Sequence, residues 1–553
     1  MTTITDIFNS FFPPPKKVIL TGKTLTIPEI ISVSRNQTHV SITPDPKIRN
    51  RIKKCYQKMI MDVKNGIPIY GTNTGFGGRA GNVANIGNAK TRLKLAQQIS
   101  EGITHIDVSV GPLFDTEITR AAMLIRINML LQGVSAVKLK DLEIYQQMLN
   151  SKITPLVHQY GGIGASGDLA HNCRILNAAR GLPGIKVIDN KGNIKEAKHA
   201  LLLASIPLLK LDPKAGLGLV NGDNYSTALA ALLSFDTLNC LMLSSVLGAI
   251  TIEVLKGSDR SFHPLLAKVR PHPGQIEVAS LYRYLLKDSK LAYHEMKGHF
   301  KRPQGIKVQD PYSLRCIAQY HGVNFEKLIQ SFEIITRNAN SVSDNPLWVA
   351  PEYVTLDETP WNWVSGGNFI ASHMVEVIDG LRKTMTQIIK LNDRHLARLV
   401  NPYENNGLPA NLSDDKAITK CAFKGIQIQS GMFDVYSSLL SIPVSTFFGV
   451  HEEGNQDITS HALTSGILAL ENLRLLHYSL AQNLIAVSQA VDLRGGPSLL
   501  SPRTKPLYQF IRQRVSYVTK ERPLHGDIEN IYQSLLNGEL TSLLKTKVFA
   551  DLK

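Results

Sequence analysis

A segment rich in alanine and leucine runs from Tyr225 to Leu255. Its apolar residues fall on nearly all faces of a helix rather than along one stripe, and a helix that is hydrophobic all round has to be buried. The uncharged run inside it, Thr237–Ile252, contains Asn239 and two serines. This run is shorter than the ~20 apolar residues that cross a bilayer. The segment therefore predicts a long helix in the core of a large protein, and we expect no membrane partner.

The other predicted elements are of two kinds. Helical periodicity predicts long helices at Phe369–Leu399 and Ser460–Asp492, and shorter ones at Thr116–Gln132 and Lys140–Asn150. Short β-branched runs, broken by proline and glycine, predict strands near the N-terminus and one later hairpin. These runs are Val18–Leu20, Leu25–Ile27, His39–Ile42 and Lys186–Ile194.

Together these elements predict a mostly α fold, in which a bundle of long central helices carries a smaller mixed α+β N-terminal domain. We place the boundary so that residues 1–220 form the N-terminal domain and residues 221–553 form the bundle. Of the 553 residues, 43% are hydrophobic and 19% are charged, against a usual ~25% charged. This composition excludes a disordered chain, and it predicts that part of the surface is buried in an oligomer.

The charge and cysteine patterns restrict the partners and the compartment. The net charge of +16 is spread along the chain rather than collected in a basic stripe, so we expect no nucleic-acid partner. The five cysteines stand far apart, without metal-ligand spacing, which predicts a reduced, cytoplasmic protein without a metal. The N-terminus lacks the charge and apolar pattern of a signal peptide.

A loop of small residues at Gly161–Gly167 contains the sequence Ala165-Ser166-Gly167. Such a loop can bend until the Gly167 nitrogen attacks the Ala165 carbonyl, because glycine lets its backbone approach closely. Loss of two waters, the second from the Ser166 side chain, would give a 4-methylideneimidazole-5-one. Its exocyclic alkene is an electrophile that no standard side chain provides. Alone, Ala-Ser-Gly is more often a plain turn, and the motif gains weight only from the segments around it.

Five segments, taken in order, resemble the motifs of the histidine and aromatic amino acid ammonia-lyases and their aminomutase relatives. They extend over most of the chain, so we identify it as a member of this family. The segments are Tyr70–Gly77, Gly164–Ala170, Leu219–Gly222, Gln309–Cys316, and Ser343–Pro346 with Gly366–Phe369.

The resemblance implies that the Ala-Ser-Gly segment, within the N-terminal domain, forms the methylideneimidazolone as the only cofactor. The reaction removes a scarcely acidic β-proton, so it needs a strong base and a charge sink. Tyr70 would be the base, a phenol with an ordinary pKa of about 10 that its neighbours would bring toward the phenolate. Asn221 and Tyr312 would orient the cofactor and bind its carbonyl or the leaving amine.

The resemblance also implies the residues that bind the substrate. Arg315 would hold the carboxylate by a bidentate fork. Gln309 and Asn345 would complete the polar shell around the carboxylate and the amine, and Phe369 would form a wall against the ring.

Two further residues bear on the choice of substrate. In the histidine enzymes a glutamate stands at the position of Gln456, where it would pair with imidazole, whereas a neutral amide suits a phenol or a plain ring. His105-Ile106 resembles the His-Leu pair of tyrosine-using members, and an imidazole can select for a para-hydroxyl. His105 also lies in a loop-like stretch, where a solvated histidine is common, so both interpretations stay open.

We therefore expect non-oxidative deamination of an aromatic L-amino acid, foremost L-tyrosine to trans-p-coumarate and ammonia. Open alternatives are a tyrosine or phenylalanine 2,3-aminomutase, a phenylalanine ammonia-lyase, and a catalytically silent scaffold. The intact Tyr70, Ser166, Asn221 and Arg315 argue against the scaffold. The resemblance also implies a homotetramer whose active sites are built from several subunits.

Overall fold

The structure is a computed structural model that describes residues 3–297, 308–354, 363–414 and 419–552. The fold is mostly α-helical, as predicted, with short strands confined to small sheets. The helices that precede residue 221 are α1 (Ile4–Ser10), α2 (Ile27–Arg35), α3 (Pro46–Lys64), α4 (Ala89–Ile103), α5 (Thr116–Leu130), α6 (Leu139–Asn150), α7 (Leu169–Arg180), α8 (Ala197–Leu203) and α9 (Ala215–Val220).

The helices that follow include the long members of the bundle. They are α10 (Asn224–Val254), α11 (Pro264–Val269), α12 (Pro273–Leu285), α13 (Tyr312–Arg315), α14 (Ile317–Ala339), α15 (Ser372–Val400), α16 (Lys424–Leu440), α17 (Ala462–Leu493), α18 (Lys505–Arg512), α19 (His525–Leu536) and α20 (Glu539–Leu543).

The strands form four small sheets among the described residues. The strands are β1 (Lys17–Leu20), β2 (His39–Ile42), β3 (Val110–Leu113), β4 (Thr154–Pro155), β5 (His158–Tyr160), β6 (Lys186–Ile188), β7 (Ile194–Glu196), β8 (Leu347–Trp348) and β9 (Trp363–Val364). In the first sheet β1 and β2 are parallel. The other pairings, β3 with β5, β6 with both β4 and β7, and β8 with β9, are antiparallel.

Helix α10 lies at the centre of the bundle. It packs against α5, α15 and α17, and α15 also packs along α17. The apolar stretch Ala215–Val254 has the length and composition of a membrane span, but 94% of its most apolar window is buried inside the protein. This burial confirms the core helix that the alanine and leucine pattern predicts, since a helix without a polar face is stable only when it is surrounded.

The predicted long helices are confirmed at α10, α15 and α17, and the predicted hairpin is confirmed as β6 and β7. The strand predicted at Leu25–Ile27 is wrong, because the helix α2 begins at Ile27. Thr26 caps this helix: its backbone N–H donates to the Glu29 carboxylate at 2.8 Å, and its hydroxyl accepts from the Glu29 N–H at 3.4 Å. This reciprocal capping box outweighs the β-branched composition of the segment.

The predicted domain boundary falls where α9 ends, at Val220. Helix α5, which precedes this boundary, packs directly on α10, which follows it. Apolar residues from both sides share one core cluster. The division into residues 1–220 and 221–553 stays a prediction.

Candidate active site

The loop at residues 161–168 is held against the N-terminal ends of two long helices. Directly before α17, the backbone N–H of His461 donates to the Ile163 carbonyl at 2.9 Å, and the Ser460 hydroxyl donates to the Gly164 carbonyl, also at 2.9 Å. Directly before α15, the Ala371 N–H lies 3.5 Å from the same Gly164 oxygen. The loop is therefore fixed by residues that follow it by two to three hundred positions in the chain.

The end of the same loop joins two further helices. Asp168 lies directly before α7, and its carboxylate accepts from the backbone N–H and the hydroxyl of Ser226, in the first turn of α10, at 2.8 and 2.7 Å. Burial raises the pKa of Asp168 to about 7. The N-terminal ends of α7, α10, α15 and α17 thus meet at one loop. Because each helix N-terminus carries a partial positive charge, this place favours groups that become negative.

The three residues of the Ala-Ser-Gly segment lie within this loop. Ala165 is buried, and Gly167 has φ +67°. A Cβ at Gly167 would overlap the backbone of Gly222, so the position accepts only glycine. Ser166 is half-buried, and its hydroxyl accepts a hydrogen bond from Nε2 of Gln456 at 3.0 Å. The structure therefore brings Gln456 to the segment from which the sequence predicts a cofactor.

Tyr70 lies at the start of the glycine-rich loop that precedes α4. Its hydroxyl oxygen accepts the backbone N–H of Gly77 at 2.8 Å. Burial raises the pKa of Tyr70, the Gly77 N–H lowers it, and the negative charge of Glu452 raises it, so that the pKa lies above its ordinary value. The sequence predicts neighbours that favour the phenolate. Within this single chain the Gly77 N–H is the neighbour that does so, and burial outweighs it.

Glu452 is a charged residue of this site that the sequence analysis does not identify. Nε2 of Gln456 donates to Oε2 of Glu452 at 2.9 Å as well as to Ser166. A Cβ at Gly77 would overlap the Glu452 carboxylate, which places this carboxylate against the loop of Tyr70. The available signal was an acidic residue four positions before Gln456, in a turn closed by backbone hydrogen bonds between His451 and Gln456.

Asn221 and Asn345 are two buried residues that contact each other close to the loop at residues 161–168. Nδ2 of Asn221 donates to the Asn345 carbonyl at 3.3 Å. The buried guanidinium of Arg126 donates to the carbonyls of Asn221 and Ser343, at 3.2 and 2.6 Å. Arg126 therefore fixes the backbone of both segments. The signal for it in the sequence was an arginine within the apolar run Ala121–Ile127 of α5.

Phe369 is half-buried in the segment that leads into α15. This segment is tied to the buried asparagines, because the Gly366 N–H donates to Oδ1 of Asn345 at 2.9 Å. It also reaches the cyclising loop through Ala371 and Gly164. A wall against a substrate ring stays a prediction for Phe369.

Three predicted residues form a second group at the start of α14. Tyr312 and Arg315 belong to the one-turn helix α13, and Gln309 precedes it. The guanidinium of Arg315 lies over the Tyr312 ring, 4.4 Å from its centre, and Tyr312 is 73% exposed. Gln309 and Arg315 line a cavity of about 490 Å³. Tyr312 therefore lies on the surface of the single chain, and an orienting role toward a cofactor stays a prediction for it.

Two residues near the end of α15 hold the helix α13 in place. The buried imidazole of His395 makes a hydrogen bond of 2.7 Å, through Nε2, to the Ser313 carbonyl. Burial lowers the pKa of His395 to about 4, so the neutral ring donates this bond at neutral pH. Nε of Arg398 donates to the Ser313 hydroxyl at 3.1 Å. The position of Tyr312 and Arg315 is therefore set by the helix bundle.

The structure thus places the predicted residues in two groups. Among the described residues, no hydrogen bond joins Gln309, Tyr312 or Arg315 to the group around Ser166. His105 is exposed in a short 3₁₀ turn, Thr104–Ile106, and the described hydrogen bonds do not connect it to either group. A contact between His105 and a substrate stays a prediction.

Comparison with known proteins shows which family the chain belongs to. The family described as aromatic amino acid lyase matches residues 25–513. The chain belongs to this family. It is 31% identical to the phenylalanine ammonia-lyase of Nostoc punctiforme, over 97% of this chain and 95% of that protein. It is 32% identical to the histidine ammonia-lyase of Myxococcus xanthus, over 96% of this chain and 99% of that protein.

The fold is shared with solved structures of the same family. The tyrosine aminomutase of Streptomyces globisporus superposes with a TM-score of 0.87 and 26% identity, over 97% of this chain and 99% of that one. The protein is therefore an enzyme of the aromatic amino acid ammonia-lyase and aminomutase class, a carbon–nitrogen lyase.

Proposed function

We propose that this aromatic amino acid lyase converts L-tyrosine to trans-p-coumarate and ammonia. The observation that carries the proposal is the series of contacts that joins the loop of Tyr70 to the loop of Ser166 through Glu452 and Gln456. Gln456 donates to both Ser166 and Glu452, and Glu452 lies against Gly77, whose N–H binds the Tyr70 oxygen. The candidate base and the cyclising segment are thus linked through Gln456, Glu452 and Gly77, which supports proton removal beside an electrophile.

The cofactor that we propose is the methylideneimidazolone formed from Ala165, Ser166 and Gly167. The residues fit it: Gly167 has positive φ and lies against Gly222 without room for a side chain, and the small Ala165 is buried beside it. Once formed, this group supplies an electrophilic alkene. The Gln456 amide contacts Ser166, and Asn221 directly precedes Gly222, which lies against Gly167, so these two amides are candidates to orient the group.

Other residues of the chain would remove the proton, bind the substrate ammonium and stabilise negative charge. Tyr70 would remove the β-proton, and the Gly77 N–H stabilises its phenolate. The carboxylate of Glu452 would bind the substrate ammonium through a charge-assisted hydrogen bond, which is stronger than a bond between neutral groups. The four helix N-termini around residues 161–168 stabilise the negative charge that develops as the proton leaves.

Tyrosine is our proposal for the substrate because Gln456 presents a neutral amide and His105 could bind a para-hydroxyl. The two relatives described above act, by their names, on phenylalanine and on histidine, and one of the neighbours in structure is a tyrosine aminomutase. That neighbour favours a second candidate function, in which the amine is returned to the β-carbon. Detection of β-tyrosine as the main product would support the aminomutase, and p-coumarate would support the lyase.

We also propose that the enzyme is a homotetramer with composite active sites. The exposed Tyr312 and the neighbouring Arg315 would complete the site around Ser166 of another subunit. A candidate contact surface is the face of α16, where four large apolar side chains are each 55–66% exposed. These residues are Ile428, Met432, Val435 and Leu439.

Complementation tests the composite site. Ser166→Ala and Arg315→Ala enzymes should each be inactive, and subunits of the two should regain activity when they are coexpressed and form mixed tetramers. A site in a mixed tetramer is intact where the Arg315→Ala subunit supplies Ser166 and the Ser166→Ala subunit supplies Arg315. Inactive mixed tetramers would contradict sites shared between subunits.

The function itself is tested by following absorbance near the coumarate, cinnamate and urocanate bands. Purified enzyme is supplied with tyrosine, phenylalanine or histidine in separate assays. Formation of coumarate at the highest kcat/KM supports the proposal, and cinnamate at the highest kcat/KM supports a phenylalanine ammonia-lyase. Absence of turnover with all three, together with no β-amino acid product, would leave the catalytically silent scaffold.

A further inference from the structure

Arg315 and Gln319 are neighbours on one helical face. The backbone continues from α13 into α14 in an i, i+4 pattern, since Cys316 N–H donates to the Tyr312 carbonyl and Tyr320 N–H donates to the Cys316 carbonyl, both at 2.9 Å. Side chains four residues apart on such a turn meet. Both Arg315 and Gln319 line the cavity of about 490 Å³.

Each of the two side chains has a buried polar atom without a hydrogen-bond partner among the described residues. The atom of Arg315 is the donor Nε, and the atom of Gln319 is the acceptor Oε1. Unpaired buried polar atoms cost stability, so they are rare in folded proteins and call for an explanation. Here a donor and an acceptor lie one turn apart, while the Arg315 guanidinium rests over the Tyr312 ring.

We propose that Gln319 is a positioning residue for Arg315. When a carboxylate enters, the guanidinium leaves the Tyr312 ring and Nε donates to Oε1 of Gln319. The two Nη groups are then free to bind both carboxylate oxygens as an end-on fork. The inference rests on the proposed function, because it assigns a carboxylate substrate to the cavity, and it makes Gln319 part of the selection for that carboxylate.

Substitution of Gln319→Met tests the proposal, because methionine keeps the length of the side chain and removes the acceptor. We expect KM for the amino acid substrate to rise about tenfold, the effect of one lost hydrogen bond to a charged group, with little change in kcat. Binding of trans-cinnamate should weaken by the same factor. Binding of cinnamyl alcohol, which lacks the carboxylate, should stay unchanged. Ser261→Ala, which changes another polar residue of the cavity, is the matched control and should alter neither ligand.

Several results would overturn the inference. Unchanged cinnamate binding by the Gln319→Met enzyme would show that Gln319 does not position Arg315. Equal weakening of cinnamate and cinnamyl alcohol would show a general structural role. A wild type that turns over no aromatic amino acid but binds cinnamate in a manner that depends on Gln319 would contradict the proposed function alone. A wild type that neither turns over substrate nor binds cinnamate would contradict both.

Discussion

The hydroxyl of Ser166 is the group whose loss has the most specific expected result. Replacement by alanine removes the atom that leaves as the second water, while the backbone of Gly167 and Asp168 keeps its contacts with Gly222. We therefore expect Ser166→Ala to fold and to lack turnover. Intact-mass measurement should give a wild type lighter than its sequence by two waters, ~36 Da, and no such deficit in the variant. A wild-type mass equal to that of the plain sequence would contradict cofactor formation.

Ionisation of Tyr70 should govern the limb of the pH profile in which kcat/KM rises with pH. A general base works in its deprotonated form, and burial raises the pKa of Tyr70 above its ordinary value. The phenolate fraction, and with it kcat/KM, should therefore rise as the pH increases toward that pKa. Tyr70→Phe should lower kcat by at least ~10²-fold, as loss of a general base does, and should remove this limb. Near-normal turnover by the variant would assign the base to another residue.

His105 should influence the preference between tyrosine and phenylalanine. If its imidazole binds the para-hydroxyl, His105→Phe removes that partner. The loss should cost roughly 1–3 kcal/mol, which is about 5- to 150-fold in relative specificity. The measurement is kcat/KM for both amino acids with wild type and variant, and the ratio should shift toward phenylalanine. An unchanged ratio would mean that His105 is the solvent-exposed turn residue of the single chain and nothing more.

The residues that sequence motifs identify and those that they miss differ in a physical way. Ser166, Tyr70 and Gln456 belong to segments with characteristic local sequences, and the structure brings them together. Glu452 and Arg126 contribute through contacts with residues far away in the chain, Gly77 and Ser343 among them. The local sequence shows a glutamate near Gln456 and an arginine within α5, but it does not specify these distant contacts, so the fold is needed to identify them.

At the scale of helices and strands, periodicity predicts the long elements best. The helices α15 and α17 repeat their apolar pattern over many turns, and α10 is apolar on nearly all faces along its length, so chance agreement is small. Short runs such as Leu25–Ile27 contain too few residues to distinguish the alternation of a strand from the periodicity of a helix. A single capping box at Thr26 makes the segment the start of a helix. The convergence of four helix N-termini at residues 161–168 depends on tertiary packing and was not predictable from periodicity.

A buried carboxyl joins two of these elements and gives a prediction for stability. Glu253, at the end of α10, accepts from the Ser501 N–H at 2.6 Å and the Thr504 hydroxyl at 2.7 Å, directly before α18. Burial raises the pKa of Glu253 to about 7 in the folded protein, against about 4.3 unfolded. Its contribution to stability is therefore complete below pH ~4 and is lost as the pH rises through about 7.

Glu253→Gln cannot ionise, so its stability should depend less on pH. Between pH 5 and pH 8 the wild type should lose ~2–3 kcal/mol from this group, and the variant should not. Thermal unfolding midpoints at the two pH values measure the difference. Glu333→Gln, at an exposed position of α14, is the matched control. An equal change of midpoint in wild type and Glu253→Gln would contradict the buried-carboxyl explanation.

The whole molecule presents its predicted site residues in two separate groups, one around Ser166 and one around Arg315. A chain with 43% hydrophobic and 19% charged residues has few charges to cover its surface, and large exposed apolar patches mark contacts between subunits. Local motifs predict which residues act, but they carry no information on which subunit supplies them. The separation seen in the single chain is what a site shared between copies requires.

A charge introduced on the apolar face of α16 should disrupt the proposed tetramer. Val435 is 65% exposed in the single chain and lies between Met432 and Leu439 on that face. In the tetramer that we propose it would be buried, so Val435→Asp would place an unpaired carboxylate in a hydrophobic interface. We expect light scattering to report smaller species and turnover to fall, while the helical circular dichroism stays that of the wild type. Ile194→Asp, at a residue 61% exposed on β7, is the matched control and should keep both assembly and activity. A Val435→Asp enzyme that remains tetrameric and active would mean that α16 faces solvent, and another surface would have to bring Arg315 to Ser166.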